Sequence, residues 1–200
     1  MRTLSKSLLD WYAESGRGLP WRVKGGAHPN PYVVLVSELM LQQTTVKTVI
    51  PYFERFMKRF PTIASLAAAT QEEVYTYWQG LGYYTRARSL HNTAKIIMSD
   101  FGGIFPHTRA DVLKLKGIGP YTVASFLALA FNAPETVVDG NVMRIICRLY
   151  HLTAPLDNIR AEISAKAESL TDKKHPADYA SAIMDLGATV CTPKNPRCLE

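Results

Sequence analysis

Apolar residues recur along most of this 200-residue chain at intervals of three or four positions, which is the spacing of one face of an α-helix. Two of the clearest faces are Leu4, Leu8, Leu9 and Tyr12, and Ile50, Phe53, Phe56 and Met57. Breakers interrupt the pattern: Pro61 separates two predicted helices, and Gly80 and Gly82 open a turn after a helix that ends near Trp78. The pattern therefore predicts an all-α fold.

Residues 32–36 are the main local exception, because Tyr-Val-Val-Leu-Val is rich in β-branched side chains that favour strands. The apolar stretch continues through Leu39, Met40 and Leu41, which makes it too long for a typical short strand. No partner strand is indicated nearby. We therefore predict a helix here as well.

Composition and charge narrow the class of partner. A hydrophobic content of 47% is enough for a sizeable core, and 23 Lys and Arg against 17 Asp and Glu leave a net charge of +6. This balance favours a polyanion, with nucleic acid ahead of an anionic membrane. No apolar run approaches the roughly 20 residues of a membrane-spanning helix, and the polar start at Met1 and Arg2 lacks a signal-peptide core. A soluble intracellular protein is expected.

Glu38 is a carboxylate within an apolar predicted helix, where scarce water would disfavour its charged form. A carboxyl group that keeps its proton near neutral pH can act as a general acid toward a poor leaving group such as a purine base. The spacing alone favours the simpler interpretation, in which Glu38 lies on the exposed polar stripe of an amphipathic helix. Gln42 and Gln43 follow at the predicted helix end, where they can hydrogen-bond base edges or cap a turn.

Gly117 and Gly119 lie in a short turn between a short helix and an apolar helix predicted from Thr122 to Phe131. Glycines leave main-chain amides unshielded, so such a hairpin can meet a DNA phosphate without reading bases. Lys114 and Lys116 add positive charge. The same Gly-x-Gly also ends ordinary helices.

Asp139 precedes a second apolar-periodic run, which places it near a helix start. A helix N-terminus stabilises an ionised carboxylate, although a simple N-cap has the same position. Cleavage of a glycosidic bond needs a protonated acid at the leaving group and a carboxylate that stabilises the sugar cation. Glu38 and Asp139 fit these two roles.

Taken together, these residues resemble the helix-hairpin-helix DNA glycosylases, and within them most closely the adenine glycosylases of the MutY type. The resemblance runs from about Pro20 to Cys198. The stretches that carry it are Pro20–Arg22, Ser37–Thr44, Gly80–Arg88, Gly117–Thr122, Val138–Val142 and Met184–Ala188.

The resemblance implies a fold of two helical lobes. A six-helix barrel with the helix-hairpin-helix motif would comprise residues 22–135, and residues 1–21 with 136–200 would form a second lobe that ends in a cluster loop. Glu38 would protonate the adenine and later activate water, Asp139 would stabilise the sugar cation or bond to it transiently, and Tyr121 and Asn141 would support them. The implied DNA contacts are Gln42, Gln43, Tyr83, Arg86, Arg88, Lys116, Gly117 and Gly119.

Tyr121 bears on the type of reaction. Relatives that also cut the backbone have a lysine at this position, which forms a Schiff base. Tyrosine there implies hydrolysis without a lyase step. Thymine-mismatch relatives share the tyrosine, and the sequence Leu-Met-Leu-Gln-Gln-Thr after Glu38 favours adenine as the substrate.

The resemblance also implies a [4Fe-4S] cluster held by four cysteines, of which Cys191 and Cys198 match the first two. Composition alone favours a surface loop over a metal site for the same segment, and Cys147 is expected to be a core residue. No counterpart of the C-terminal domain that recognises 8-oxoguanine is present, so a truncated chain is expected.

The expected partner is double-stranded DNA with adenine opposite 8-oxoguanine or guanine, bound by a monomer without a membrane. The compartment would be the bacterial cytosol or nucleoid, or the nucleus or mitochondrion of a eukaryote. Alternatives remain: a DNA-binding fragment without turnover, a glycosylase for another damaged base, or a helical protein-interaction domain whose basic residues are only solvated. Binding without base release, or absent or salt-insensitive DNA binding, would distinguish them.

Overall fold

The computed structural model describes residues 3–23 and 28–199. Within these residues the regular secondary structure is helical throughout, so the predicted all-α class is confirmed. The helices are α1 (Leu4–Ser15), α2 (Pro31–Leu41), α3 (Val46–Arg59), α4 (Ile63–Ala68), α5 (Gln71–Trp78), α6 (Tyr84–Asp100), α7 (Arg109–Val112), α8 (Pro120–Phe131), α9 (Gly140–Leu149), α10 (Leu156–Leu170) and α11 (Pro176–Thr189). None of these described helices is both long and apolar enough to cross a bilayer. The polar start at Met1 and Arg2 lies outside the described residues.

Residues 32–36 belong to α2, so the helix predicted there is confirmed. Its start is well defined, because the Asn30 side chain accepts a hydrogen bond of 2.9 Å from the Tyr32 amide and Pro31 occupies the first turn. Leu35 and Leu39 have no exposed surface. A helix that is buried on all sides needs no polar stripe, which explains its β-branched, uniformly apolar sequence.

The chain divides into two compact units, and the central unit comprises Leu19–Arg22 and Pro29–Phe126. It contains α2 to α7 and the first part of α8. The largest fully buried side chains of its core are Trp78, Phe56, Phe60, Phe126, Leu35, Leu39, Met40, Leu66, Leu90 and Ile97. Phe56 and Trp78 meet edge to face with their ring centroids 6.2 Å apart, which is a favoured arrangement of aromatic rings.

The terminal unit comprises the chain up to Gly18, Val23 and His28, and the chain from Leu127 onward. In it α1 packs against α11, and α9 packs against both α10 and α11. Its core includes Leu8, Tyr12, Val142, Ile146, Ile163, Tyr179 and Ile183. A buried ion pair adds to this core: Asp185 has no exposed surface and accepts hydrogen bonds from Arg17 Nε at 2.9 Å and from the Arg17 amide at 2.8 Å.

Candidate active site

Glu38 lies in the last turns of α2 and is only 8% exposed, so it does not lie on a solvated stripe. Ser125 on α8 donates a hydrogen bond of 2.5 Å from its hydroxyl to Glu38 Oε2. Ser125 has no exposed surface, which places this bond in the interior of the central unit. The structure therefore holds the Glu38 carboxyl group in a fixed position with little access to bulk water.

The Ser125 hydroxyl has a second acceptor in reach, because Thr122 O lies 3.2 Å from Ser125 Oγ. A hydroxyl carries one proton and two acceptor lone pairs. It can therefore donate a hydrogen bond to an ionised Glu38, or donate one to Thr122 O and accept one from a neutral Glu38. This arrangement suits a carboxyl group that gains and loses a proton during a reaction.

The turn after α2 contacts the start of α8. Gln42 caps the C-terminus of α2, and its Nε2 donates to Thr122 Oγ1 at 3.2 Å. Gln43 has a φ of 56°, which is uncommon for a residue with a side chain. Tyr121, the second residue of α8, is partly exposed. Three predicted site residues, Glu38, Gln42 and Tyr121, thus lie on α2, its following turn and α8 of one unit.

The hairpin between α7 and α8 is exposed at Lys116, Gly117 and Gly119. Gly117 has a φ of 77°, and a Cβ atom there would lie 2.4 Å from Ser89 Cβ of α6, so only glycine fits. The Lys116 carbonyl accepts a hydrogen bond of 3.1 Å from Thr93 Oγ1, which fixes the turn on α6. The main chain of the hairpin is therefore rigidly presented to solvent.

The turn before α6 presents an aromatic ring. Tyr83 is 61% exposed and has a φ of 48°. Trp78 Nε1 donates to Gly82 O at 3.0 Å and so anchors the turn. Arg88, in the next turn of the helix, is exposed. Both Tyr83 and Arg88 are accessible to a large ligand.

Arg86 corrects the sequence interpretation, which counted it with Arg88 and Lys116 among the residues that contact DNA. The structure buries it at 6% exposure, and its guanidinium group donates to main-chain carbonyls. The physical reason is that a helix C-terminus leaves carbonyls unpaired, and α2 ends beside this position. Burial lowers the pKa of Arg86. Lys114 is exposed but forms an ion pair of 2.7 Å with Asp111.

Asp139 is the N-cap of α9, as its place before an apolar-periodic run predicted. Its Oδ1 accepts a hydrogen bond of 2.7 Å from the Val142 amide, and its Oδ2 accepts one of 3.1 Å from Asn141 Nδ2. These two hydrogen bonds fix the orientation of the carboxylate at the start of the helix. Asp139 is half-buried, so it retains a side open to solvent.

Arg144 orients the Asn141 amide within the terminal unit. Its Nη2 donates to Asn141 Oδ1 at 2.7 Å and to Gly187 O at 2.7 Å, and its Nε donates to Cys191 O at 2.8 Å. A Cβ atom at Gly187 would lie 2.5 Å from Asn141 Cβ, so α11 approaches α9 closely only because this residue is glycine. The amide nitrogen of Asn141 is thereby turned toward Asp139.

Sequence reasoning did not assign a role to Ser125 or Arg144. Ser125 carried a usable signal, because it is a polar residue in an otherwise apolar helix, as Glu38 is. Arg144 carried none, since an arginine on an amphipathic helix is ordinary. Only the packing of α9 against α11 brings Arg144 to the main chain of Gly187.

The cysteine segment supplies few ligands. Cys191 is half-buried, with Arg148 Nη1 lying 3.3 Å from its Sγ, and Cys198 is exposed. In residues 3–23 and 28–199 no group of three or more His, Cys, Asp or Glu side chains is placed to hold a metal ion. The residues present do not fit a cluster that takes four thiolates, so the [4Fe-4S] cluster stays a prediction.

Similar sequences were found across most of the chain. Residues 36–170 match the family described as HhH-GPD superfamily base excision DNA repair protein. An adenine DNA glycosylase of Buchnera aphidicola subsp. Baizongia pistaciae is 42% identical over 194 residues, covering 96% of this chain and 54% of that protein. The adenine DNA glycosylase of Homo sapiens is 42% identical over 202 residues, covering 97% of this chain and 37% of that protein. The chain thus spans about half or less of the length of these relatives.

Solved structures share the fold. A thermostable thymine-DNA glycosylase superposes with a TM-score of 0.84 at 28% identity, covering 98% of this chain and 89% of that chain. A non-covalent endonuclease III–DNA complex superposes with a TM-score of 0.79 at 21% identity, covering 98% of this chain and 88% of that chain. The second likeness supports the fold alone.

Proposed function

Because this chain belongs to the HhH-GPD superfamily of base excision DNA repair proteins, we propose that it is a monofunctional adenine DNA glycosylase. The observation that carries the proposal is the buried Glu38 carboxyl group with its hydrogen bond from Ser125. Relatives named adenine DNA glycosylase match over nearly the whole of this chain, which supports adenine as the base that Glu38 protonates.

Glu38 is the general acid and base of this proposal. Its carboxyl proton passes to N7 of adenine, and the bond between C1′ and N9 breaks with its electron pair leaving on the base. Water then adds to C1′ and returns a proton to the Glu38 carboxylate. Ser125 serves both protonation states, because its hydroxyl either donates to Glu38 or accepts from it.

Asp139 stabilises the positive charge that develops on the sugar, or bonds to C1′ transiently before water displaces it. This role needs an ionised carboxylate. The Val142 amide and the Asn141 side chain hold the Asp139 carboxylate in place with two hydrogen bonds.

The DNA is held by groups that are exposed or lie in turns. The hairpin amides at Gly117 and Gly119, with Lys116 and Arg88, contact phosphates, whereas Gln42, Gln43 and Tyr83 contact bases beside the target. The target nucleotide is turned out of the helix, since a stacked base hides its glycosidic bond. An exposed tyrosine ring such as Tyr83 can fill the space that the base leaves.

The substrate that we propose is adenine opposite 8-oxoguanine or guanine in duplex DNA. Tyr121 stands where a Schiff-base lysine would be needed for a lyase step, so the product is an abasic site in an unbroken strand. Tyr121 supports the site through its position at the start of α8.

The test uses purified protein and duplexes with adenine opposite 8-oxoguanine or guanine, and with thymine opposite guanine. Alkali converts abasic sites into strand breaks. We expect breaks at adenine only after alkali, and none with Glu38→Gln or Asp139→Asn. Lys95→Met, an exposed change on α6, is the matched control and should retain activity.

Other outcomes would contradict the proposal. Breaks before alkali would indicate a lyase, and breaks at thymine alone would indicate a thymine glycosylase, as in the structural neighbour of that name. Tight DNA binding without any base release would indicate a DNA-binding unit without turnover.

A further inference from the structure

Arg86 connects two separate turns of the central unit. The two hydrogens of its Nη1 are shared among the carbonyl oxygens of Leu39 at 3.3 Å, Met40 at 2.8 Å and Gln42, and Thr44 Oγ1 at 3.0 Å. Its Nη2 donates to Leu81 O at 3.2 Å and Gly82 O at 3.2 Å. One planar group therefore bridges the end of α2 and the turn before α6.

Both turns contain backbone conformations that side-chain-bearing residues rarely adopt. Gln43 has a φ of 56° in the first turn, and Tyr83 has a φ of 48° in the second. Such conformations persist only when the surroundings hold them, and they concentrate at binding and catalytic sites. The arginine that bridges the two turns lies beside both strained residues.

The guanidinium group also fixes the Tyr83 ring. Its central carbon lies 5.4 Å from the centroid of Tyr83 and 5.5 Å from that of Trp78. An exposed aromatic ring that packs over a buried cation has less freedom than one on an ordinary surface turn. The direction in which Tyr83 faces solvent thus depends on Arg86.

We propose that Arg86 is a positioning residue that locks the turn at residues 42–45 and the turn at residues 80–83 into one rigid DNA-contacting surface. The part of this inference that concerns DNA rests on the proposed function. Lysine cannot replace arginine here, because a single ammonium group has three donors and cannot reach two sets of carbonyls in the fork geometry. The cost of burying a cation is offset by the many carbonyls that it bridges.

The experiment compares Arg86→Lys and Arg86→Met with the wild type and with Lys95→Met, which removes an exposed charge from the same helix. Hydrogen exchange reports on the two turns without DNA, through the hydrogen-bonded amides of Thr44 and Leu81. We expect both amides to exchange faster together in Arg86→Lys, while the cores of α3 and α6 retain their protection. Faster exchange in one turn only, or in neither, would overturn the proposal that Arg86 locks the two turns together.

The DNA readout uses a duplex in which 2-aminopurine replaces the target adenine, since its fluorescence rises when the base leaves the stack. At saturating protein we expect Arg86→Lys to reduce this rise. On a second duplex that retains the target adenine, we expect it to slow the single-turnover release of adenine about 10- to 100-fold, as a small misplacement of contact groups does. The Kd for DNA should change less than the rate. An unchanged rate and an unchanged fluorescence rise would overturn the positioning role.

The readouts separate this inference from the proposed function. If the wild type releases no adenine, the exchange of Thr44 and Leu81 still tests whether Arg86 joins the turns. If Arg86→Met does not fold, Arg86→Lys keeps the test intact, because it retains a buried positive charge. Equal loss of protection throughout α3 and α6 in Arg86→Lys would assign Arg86 to general stability and overturn the proposal.

Discussion

The two units bury their charged groups in different ways. In the central unit, Glu38 accepts a hydrogen bond from the neutral hydroxyl of Ser125, and Arg86 donates hydrogen bonds to main-chain carbonyls. In the terminal unit, Asp185 is bound by the Arg17 side chain and amide, and Asp139 is bound by a helix-start amide.

This difference has a chemical consequence. Donors such as amides and guanidinium groups favour an ionised carboxylate, whereas a buried carboxyl group beside a hydroxyl can exist in either protonation state. A residue that exchanges a proton is therefore suited to the central unit. A residue that must stay negative is suited to the terminal unit.

The largest effect is expected from Asp185→Asn, which removes one partner of the buried ion pair in the terminal unit. Leaving the Arg17 guanidinium without its carboxylate should lower the free energy of unfolding by about 3 kcal/mol. Urea denaturation followed by circular dichroism measures it. Asp157→Asn breaks an exposed pair with Arg160 on α10 and should leave the midpoint nearly unchanged. Equal effects of the two changes would show that burial does not matter here.

A smaller effect is expected from Ser125→Ala, which removes the hydroxyl donor of Glu38 in the central unit. The single-turnover rate of adenine release should fall about tenfold, because one hydrogen bond to the reacting carboxyl group is lost. Ser37→Ala is the matched control, since the Ser37 hydroxyl is also buried but donates to Val34 O of its own helix. If Ser37→Ala slows the reaction as much, the special role of Ser125 is wrong.

Two substitutions at Asp139 separate the effect of its negative charge on activity from its effect on stability as the N-cap of α9. Asparagine is as good an N-cap as aspartate, so Asp139→Asn should retain the stability of α9 while losing activity. Asp139→Ala should lose activity and about 1 kcal/mol of stability as well. Thermal and urea unfolding of both variants measure this difference. Equal stability of the two variants would mean that the bond from the Val142 amide contributes little.

The smallest effect is expected at Asp172, whose pKa lies below the ordinary value of 3.8. Burial raises the pKa of this carboxylate, but the hydrogen bonds from the His175 and Lys174 amides outweigh burial and lower it. A lowered pKa in the folded state means that the stabilisation is present above pH 3.8 and is lost as the pH falls further. Asp172→Asn should thus unfold slightly earlier than the wild type at pH 7, and the difference should shrink progressively as the pH falls below 3.8. A difference that stays constant or grows as the pH falls would contradict this sign.

Much of the fold was predictable from the sequence. The helical spacing of apolar residues identified the helices, and Asp139 was recognised as a helix start, because these signals act between residues a few positions apart. The helix over residues 32–36 was predicted despite its β-branched residues, since the length of the apolar run excluded a short strand. The resemblance to helix-hairpin-helix DNA glycosylases is confirmed by the family match over residues 36–170.

The sequence by itself determined the helical class, the basic charge and the two carboxylates that carry the proposed chemistry. Only the tertiary structure decided that Ser125, 87 positions away along the chain, donates to Glu38. It also decided that Arg86 faces carbonyls of α2 and not solvent. The reason is physical: periodicity fixes which face of a helix is buried, but the packing of that face against a distant element decides which polar atoms meet.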